Sequence, residues 1–337
     1  MKQLRKILFP FAGLYYIITL LRNKAYDLGY FSHKEYDVPI ICIGNLNTGG
    51  TGKSPMTEYL IRCLKDQYRI ATLSRGYGRK TKGYLQVFSN SVAQDVGDEP
   101  LQFARKFGDI IVSVCEDRQF GISQLLKIKP APEVFILDDA YQHRKVKAGF
   151  QIVLTAYHDL FVDDYLLPVG NLREPRNGVD RAQVIIVTKC PADVSQEDRG
   201  LVIKKLNPSS SQKVYFTTIR YSDRIVSNGA RWAISELKGK KITLVTGIAN
   251  PIPLVNHLQG LQLDFDHKVF RDHHNFASSE IKELESCEFI LTTEKDYVRL
   301  APLIKNTPLY YLAIEISFVA DETLFAQQVL SFVNEFN

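Results

Sequence analysis

A chain of 337 residues, 45% hydrophobic and 23% charged, has the material for two domains or one large one, and its composition excludes a disordered chain. Its net charge of +5 is confined to one end: residues 1–26 carry Lys2, Arg5, Lys6, Arg22 and Lys24 and no acid, while the other 37 basic residues balance 37 acids. So even a balance over the body gives no footprint for nucleic acid, and nothing in the sequence calls for a protein partner.

The N-terminal charges flank an apolar run over residues 7–21, rich in Phe, Tyr, Leu and Ile. Fifteen residues fall short of the roughly 20 a spanning helix needs. No small-x-small cleavage site follows, so a secretory signal is not indicated. Cations at both ends and aromatic residues between suit a helix lying on a membrane surface. The alternative is an apolar helix packed onto the domain, which periodicity alone does not exclude.

A β-branched run, Val38-Pro39-Ile40-Ile41-Cys42-Ile43, then leads into Asn45-Leu46-Asn47-Thr48-Gly49-Gly50-Thr51-Gly52-Lys53-Ser54-Pro55. Met56, Tyr59, Leu60, Cys63 and Leu64 follow at the spacing of a helix with one buried stripe. Strand, glycine loop and helix in that order make a phosphate-binding loop rather than a mere capping turn. Its backbone N–H groups and the helix N-terminus face phosphate oxygens, Lys53 reaches the β- and γ-phosphates, and Ser54 ligates Mg²⁺. Asn47, Thr48, Gly49, Gly50, Thr51, Gly52, Lys53 and Ser54 are therefore the expected ATP contacts. Asn47 stands where the usual pattern has Gly.

Further strands are expected over 69–74, 109–115, 134–137, 151–155 and 184–188, with helices near 99–107 and 117–128. Such alternation describes a parallel sheet covered on both faces. A polar break at 207–212 precedes a smaller α/β run with strands near 213–220, 241–246, 288–292 and 308–316. The expected organisation is a membrane-association helix over 1–26, a phosphate-loop core over 27–212 and a smaller α/β domain over 213–337. Cys42, Cys63, Cys115, Cys190 and Cys287 show no Cys-x-x-Cys spacing and no histidine partners, so they read as reduced thiols of a reducing compartment.

The strand over 134–137 ends in Asp138-Asp139, where a phosphate-loop enzyme keeps the acid that holds Mg²⁺. Gln142, His143 and Arg144 follow at the same end of the sheet, with His143 open to a site or a scaffold role. The loop Ser74-Arg75-Gly76-Tyr77-Gly78-Arg79-Lys80-Thr81-Lys82 is basic and lies at a strand's carboxyl end, where ligands bind. Gly97-Asp98-Glu99-Pro100 reads on its own as a helix start with Asp98 as N-cap. Adjacent His273 and His274 do not form a metal pair on one helix face.

Taken in order, Gly44-Asn45-Leu46 with Gly49 to Pro55, Ser74-Arg75-Gly76-Tyr77-Gly78, Gly97-Asp98-Glu99-Pro100, Leu137 to Arg144, Leu172-Arg173-Glu174-Pro175, Asp272-His273-His274 and Thr293-Glu294-Lys295-Asp296 resemble the tetraacyldisaccharide 4′-kinases of lipid A biosynthesis. Ser54, where that family often has Thr, and Ala140-Tyr141, where Gly-Phe is frequent, are the small departures. The resemblance implies a peripheral enzyme on the cytoplasmic face of the inner membrane. It implies transfer of the ATP γ-phosphate to the 4′-hydroxyl of an acylated glucosamine disaccharide 1-phosphate. It also implies two α/β domains joined by a two-stranded linker. By resemblance Asp98 is the base and a histidine, chosen as His273, its partner. Lys53 and Asp139 are the expected catalytic groups and Ser54 and Asp138 the expected metal ligands. Asp139 and His143 are expected to line the acceptor or metal side, and Arg75 and Arg173 to meet anionic groups on either substrate. The rival is a membrane-bound nucleotide switch or partitioning ATPase. Such loops carry a lysine where this chain has Thr48, and Thr188-Lys189-Cys190-Pro191 is a poor match to Asn-Lys-x-Asp.

Overall fold

The computed structural model describes residues 4–336; Lys2, one of the N-terminal cations, lies outside them. After a 3₁₀ turn (Leu4–Leu8), helix α1 (Phe9–Asp27) lies against the body with its apolar side outward. Ile7, Phe11, Leu14, Ile17, Ile18 and Leu21 are all more than half exposed, and they recur at three- and four-residue spacing along one face. The attachments to the body are mostly polar. Tyr15 Oη donates to the Arg173 carbonyl at 2.8 Å, Arg22 to the Gln142 carbonyl at 2.8 Å, and Asn23 Nδ2 to Glu174 Oε2 at 3.2 Å. The large apolar residues of the run therefore face outward, while these contacts dock the helix on the domain.

Strand β1 (Ile40–Asn45) is buried along its whole length and runs into α2 (Lys53–Leu64) through the glycine loop. The first half continues with β2 (Ile70–Ser74), a short β3 (Leu85–Val87), a single turn α3 (Ala93–Val96), α4 (Asp98–Lys106), β4 (Ile111–Val114), α5 (Arg118–Leu125), β5 (Val134–Asp138), β6 (Phe150–Ala156), β7 (Val184–Thr188) and α6 (Gln196–Leu206). Alternate residues of β1 serve opposite faces. Ile40 and Cys42 join Leu73, Phe135 and Ile122, while Ile41 and Ile43 join Met56, Leu60, Ile61 and Leu64 of α2. This two-sided burial is why the strands read as near-continuous apolar runs.

The second half opens with β8 (Lys213–Ser227), then β9 (Ala230–Ala233), β10 (Ile242–Thr246), α7 (Ile252–Gly260), β11 (Phe265–Val269), α8 (Ser278–Glu285), β12 (Ile290–Thr293), α9 (Glu294–Leu300), β13 (Leu309–Phe318) and α10 (Glu322–Asn334). The sheet order is β11-β10-β12-β13-β8-β7-β6-β1-β5-β2-β4-β3, with β9 paired to β8. Strand β8 is long enough to serve both halves. Its first residues pair parallel with β7, and from Thr217 onward it pairs antiparallel with β13. Helix α10 returns to the first half, where Phe325, Val329 and Val333 pack with Ile41, Met56 and Ile152. Strand order reverses around β1, with β6 on one side and β5 on the other, so the crevice beyond the carboxyl end of β1 is the expected ligand position.

Candidate active site

The glycine loop needs glycine at two places. Gly49 has φ +127° and Gly52 has φ +89°, regions that side-chain-bearing residues rarely adopt. Residue 47 is under no such demand, so a side chain is tolerated there. The loop is held at its edges by Thr48 N–H on the Asn171 carbonyl (2.7 Å) and by Arg173 N–H on the Leu46 carbonyl (2.7 Å). Behind it, the Thr188 hydroxyl donates to the Thr51 carbonyl at 2.7 Å and Lys189 donates to that of Gly50. The buried Asn47 Oδ1 and Thr51 Oγ1 have no hydrogen-bond partner among the described residues.

Lys53 opens α2 and donates to Asn45 Oδ1 at 3.2 Å, with Asp139 Oδ1 3.7 Å away. Arg173 joins the same knot, donating to the Asn45 carbonyl at 2.9 Å and to Asp139 Oδ1 at 3.0 Å. Parallel pairing of β5 with β1 sets Asp138 opposite Ile43, so both acids stand beside the loop. Asp138 accepts from Thr57 at 3.2 Å, and Ser54 donates to Glu99 Oε1 at 2.9 Å. Burial, then the Glu99 and Asp139 carboxylates, raise Asp138 above the usual carboxylate range. For Asp139, desolvation is outweighed by Lys53 and Arg173, which hold it below that range. Asp139 also adopts φ +46°, backbone strain of the kind found at functional sites.

The Ser54 hydroxyl and the Asp138 carboxylate are hard oxygen donors, and among the described residues no cation pairs directly with that carboxylate, which fits a Mg²⁺ site. Among the described residues no three His, Cys, Asp or Glu side chains gather into an all-protein metal cage. Mg²⁺ asks for less, since it keeps waters and phosphate ligands and takes one or two protein oxygens. Ser54 and Asp138 can supply them.

Asp98 is not the N-cap that its local sequence suggests. Gly97, at φ +93°, precedes the helix, Asp98 is its first residue, and no side chain caps it. The Asp98 carboxylate instead meets the second half: Oδ2 lies 2.8 Å from His273 Nδ1 and 3.4 Å from Arg299 Nε. His273 is held in turn by Lys295, whose Nζ is 2.9 Å from Nε2, and its backbone takes φ +57°. His274 turns away to Glu280 at 2.8 Å. Glu99, next to Asp98, touches Ser54, so the Asp98–His273 pair and the phosphate loop form one site.

Two expected residues are less engaged. Arg75 is exposed and has no hydrogen bond among the described residues. His143 accepts from the Arg118 backbone N–H at 3.4 Å, and burial, reinforced by the Arg118 charge, pushes it down to about 4. Asn45, Glu99, Lys295 and Arg299 enter the site without having been singled out. All but Arg299 lie inside quoted motifs, and that was the available signal.

The comparisons with known proteins come to one family. A family model described as tetraacyldisaccharide-1-P 4′-kinase matches residues 4–334. The tetraacyldisaccharide 4′-kinase of Flavobacterium johnsoniae is 45% identical over 99% of both chains. That of Bacteroides thetaiotaomicron is 42% identical over 99% of this chain and 94% of its own. A crystal structure of LpxK from Aquifex aeolicus in complex with ATP superposes with a TM-score of 0.80 at 30% identity, covering 98% of this chain and 99% of that one.

Proposed function

This chain belongs to the tetraacyldisaccharide-1-P 4′-kinase family, and we propose that it works through the pairing of Asp98 with His273 beside the phosphate loop. It is an ATP-dependent kinase of lipid A synthesis, using ATP with Mg²⁺ to phosphorylate the 4′-hydroxyl of a tetraacyl disaccharide 1-phosphate. Bound Mg·ATP supplies the phosphoryl group and neutralises the charge that develops on it. The chain's own residues position and exchange a proton. Loop N–H groups and Lys53 take the phosphates, and Ser54 and Asp138 take the metal. Arg173 and Asp139 fix Asn45 and Lys53 in place. Asp98 takes the proton of the acceptor hydroxyl, and His273 orients Asp98.

That single contact carries the reading, because it joins residues 175 apart in sequence and nothing in helix capping requires it. The outward apolar face of α1 supports attachment to the cytoplasmic face of the inner membrane, where a lipid acceptor and cytosolic ATP meet. Among the described residues no helix is long and apolar enough to cross a membrane, so that attachment is peripheral. The deciding experiment is Asp98→Asn, which keeps the shape and removes the base. We expect kcat to fall about 10²–10⁴-fold, the scale of general base catalysis, with ATP binding intact. Full activity in the Asp98→Asn variant would leave the kinase without this base.

A further inference from the structure

Lys295 reaches the site from the second half, against the His273 ring. Its ammonium has three N–H donors and no lone pair. A 2.9 Å contact between Lys295 Nζ and His273 Nε2 therefore requires the free lone pair of the imidazole to be on Nε2. The ring proton is then on Nδ1, and Nδ1–H donates to Asp98 Oδ2 at 2.8 Å. Asp272 Oδ1 holds Lys295 from the other side at 3.1 Å, which fixes the ammonium in front of the ring.

We infer that Lys295 is a positioning residue that locks His273 in its Nδ1–H tautomer, so that the acceptor proton goes to Asp98 and not to the imidazole. The inference rests on the reading of Asp98 as the base. His273 has no vacant basic nitrogen in this arrangement: Nδ1 already carries a proton and Nε2 faces a cation. Asp98 Oδ2 is occupied by His273, and Arg299 Nε stands 3.4 Å from it. Asp98 Oδ1 has no hydrogen bond among the described residues and is the oxygen left for the acceptor. The step balances simply. The acceptor O–H bond breaks, and its proton passes to Asp98 Oδ1. The oxygen bonds to the γ-phosphorus as the bond to the bridging oxygen of ADP breaks.

The groups facing His273 are Asp98 and Arg299, Lys295 and Asp272 (Oδ1 4.0 Å from Nε2), and the Tyr77 ring, 5.4 Å between centroids. Among them only Lys295 donates to Nε2, so its removal is the specific test. Long-range ¹H–¹⁵N correlation spectra of the full-length, ¹⁵N-histidine-labelled protein read the tautomer directly, with His273→Gln assigning the signal. The wild type should show a protonated Nδ1. Lys295→Met should release the Nε2–H form or the imidazolium and lower kcat roughly 10–100-fold, the scale for partners that orient a catalytic group, with KM for ATP unchanged. Lys295→Arg, which keeps a donor, should restore both. A wild-type Nε2–H ring, or an unchanged tautomer in Lys295→Met, overturns the lock. The tautomer is measured without turnover, so these outcomes stay separate from an active Asp98→Asn enzyme, which would overturn the base itself.

Discussion

His143 shows how much one residue's meaning depends on its partner. Pushed down to about 4 from an ordinary 6.5, it stays neutral in the folded protein and accepts from Arg118 N–H through Nε2. Between those values the unfolded chain binds a proton that the folded chain refuses. Stability from this group is therefore complete above about 6.5 and is lost as the pH falls toward 4. His143→Gln keeps an acceptor without a titrating ring, so its urea midpoint should change less than the wild type's between pH 7 and pH 4.5. Equal pH slopes would return His143 to the acceptor side of the site. The motif placed His143 at the right end of the sheet, but its hydrogen-bond partner sits on a neighbouring element and was not legible. Asp98 was legible in position and ambiguous in role, because an Asp at a helix start is ordinary and its partner lies in the second half. The placement of Lys53, Ser54 and Asp138 beside one another was readable because it follows from strand, loop and helix order.

At the scale of elements, α1 inverts the usual arrangement of a surface helix. Its polar and aromatic attachments, Tyr15, Arg22 and Asn23, reach segments that also supply Arg173, Gln142 and Glu174 near the loop. Its large aliphatic residues Leu14, Ile17, Ile18 and Leu21 face away. Full burial of one such side chain contributes about 1.5–3 kcal/mol, and a basic residue near anionic lipid about 1 kcal/mol. Leu14→Glu with Ile18→Glu should therefore abolish sedimentation with anionic vesicles and leave the melting temperature nearly unchanged, since both residues are already more than half exposed. A large loss of melting temperature with vesicle binding retained would put that face against protein. The apolar run and its flanking charges were legible, but which side of the helix met the body was not, because exposure is a tertiary property. Strands β3, β9 and β11 were also missed. They are three to five residues long, with exposed or half-exposed positions, so no continuous apolar run marks them. The core strands were found because both of their faces are buried.

At the scale of the whole molecule, the two halves meet at α4 and α9 as well as through β8 and β13. We propose a boundary near residue 212, with α10 returning to the first unit. Lys106 of α4 stands in the seam, 2.7 Å from Glu58 and 3.0 Å from Glu294, the first residue of α9. Both carboxylates are buried, and burial together with Glu58 raises Glu294 above its ordinary range. One cation thus holds two buried acids from opposite halves, in the same seam that brings His273 to Asp98. Among the described residues, Lys106→Met removes the only ammonium bonded to both and leaves two desolvated carboxylates facing each other, a loss of about 3–5 kcal/mol for breaking a buried pair. The halves should part and carry His273 away from Asp98, lowering kcat although Lys106 is not placed against either substrate. The sign of the pH effect follows from Glu294. A buried acid with a raised value keeps a proton that the unfolded chain has lost, so raising the pH costs stability and lowering it restores stability. The Lys106→Met deficit should therefore be greatest on the alkaline side, and adding Glu294→Gln should relieve it. Turnover of Lys106→Met measured across pH with and without the second change decides the matter. A deficit independent of pH and unrelieved by Glu294→Gln would show that the seam is held by other contacts.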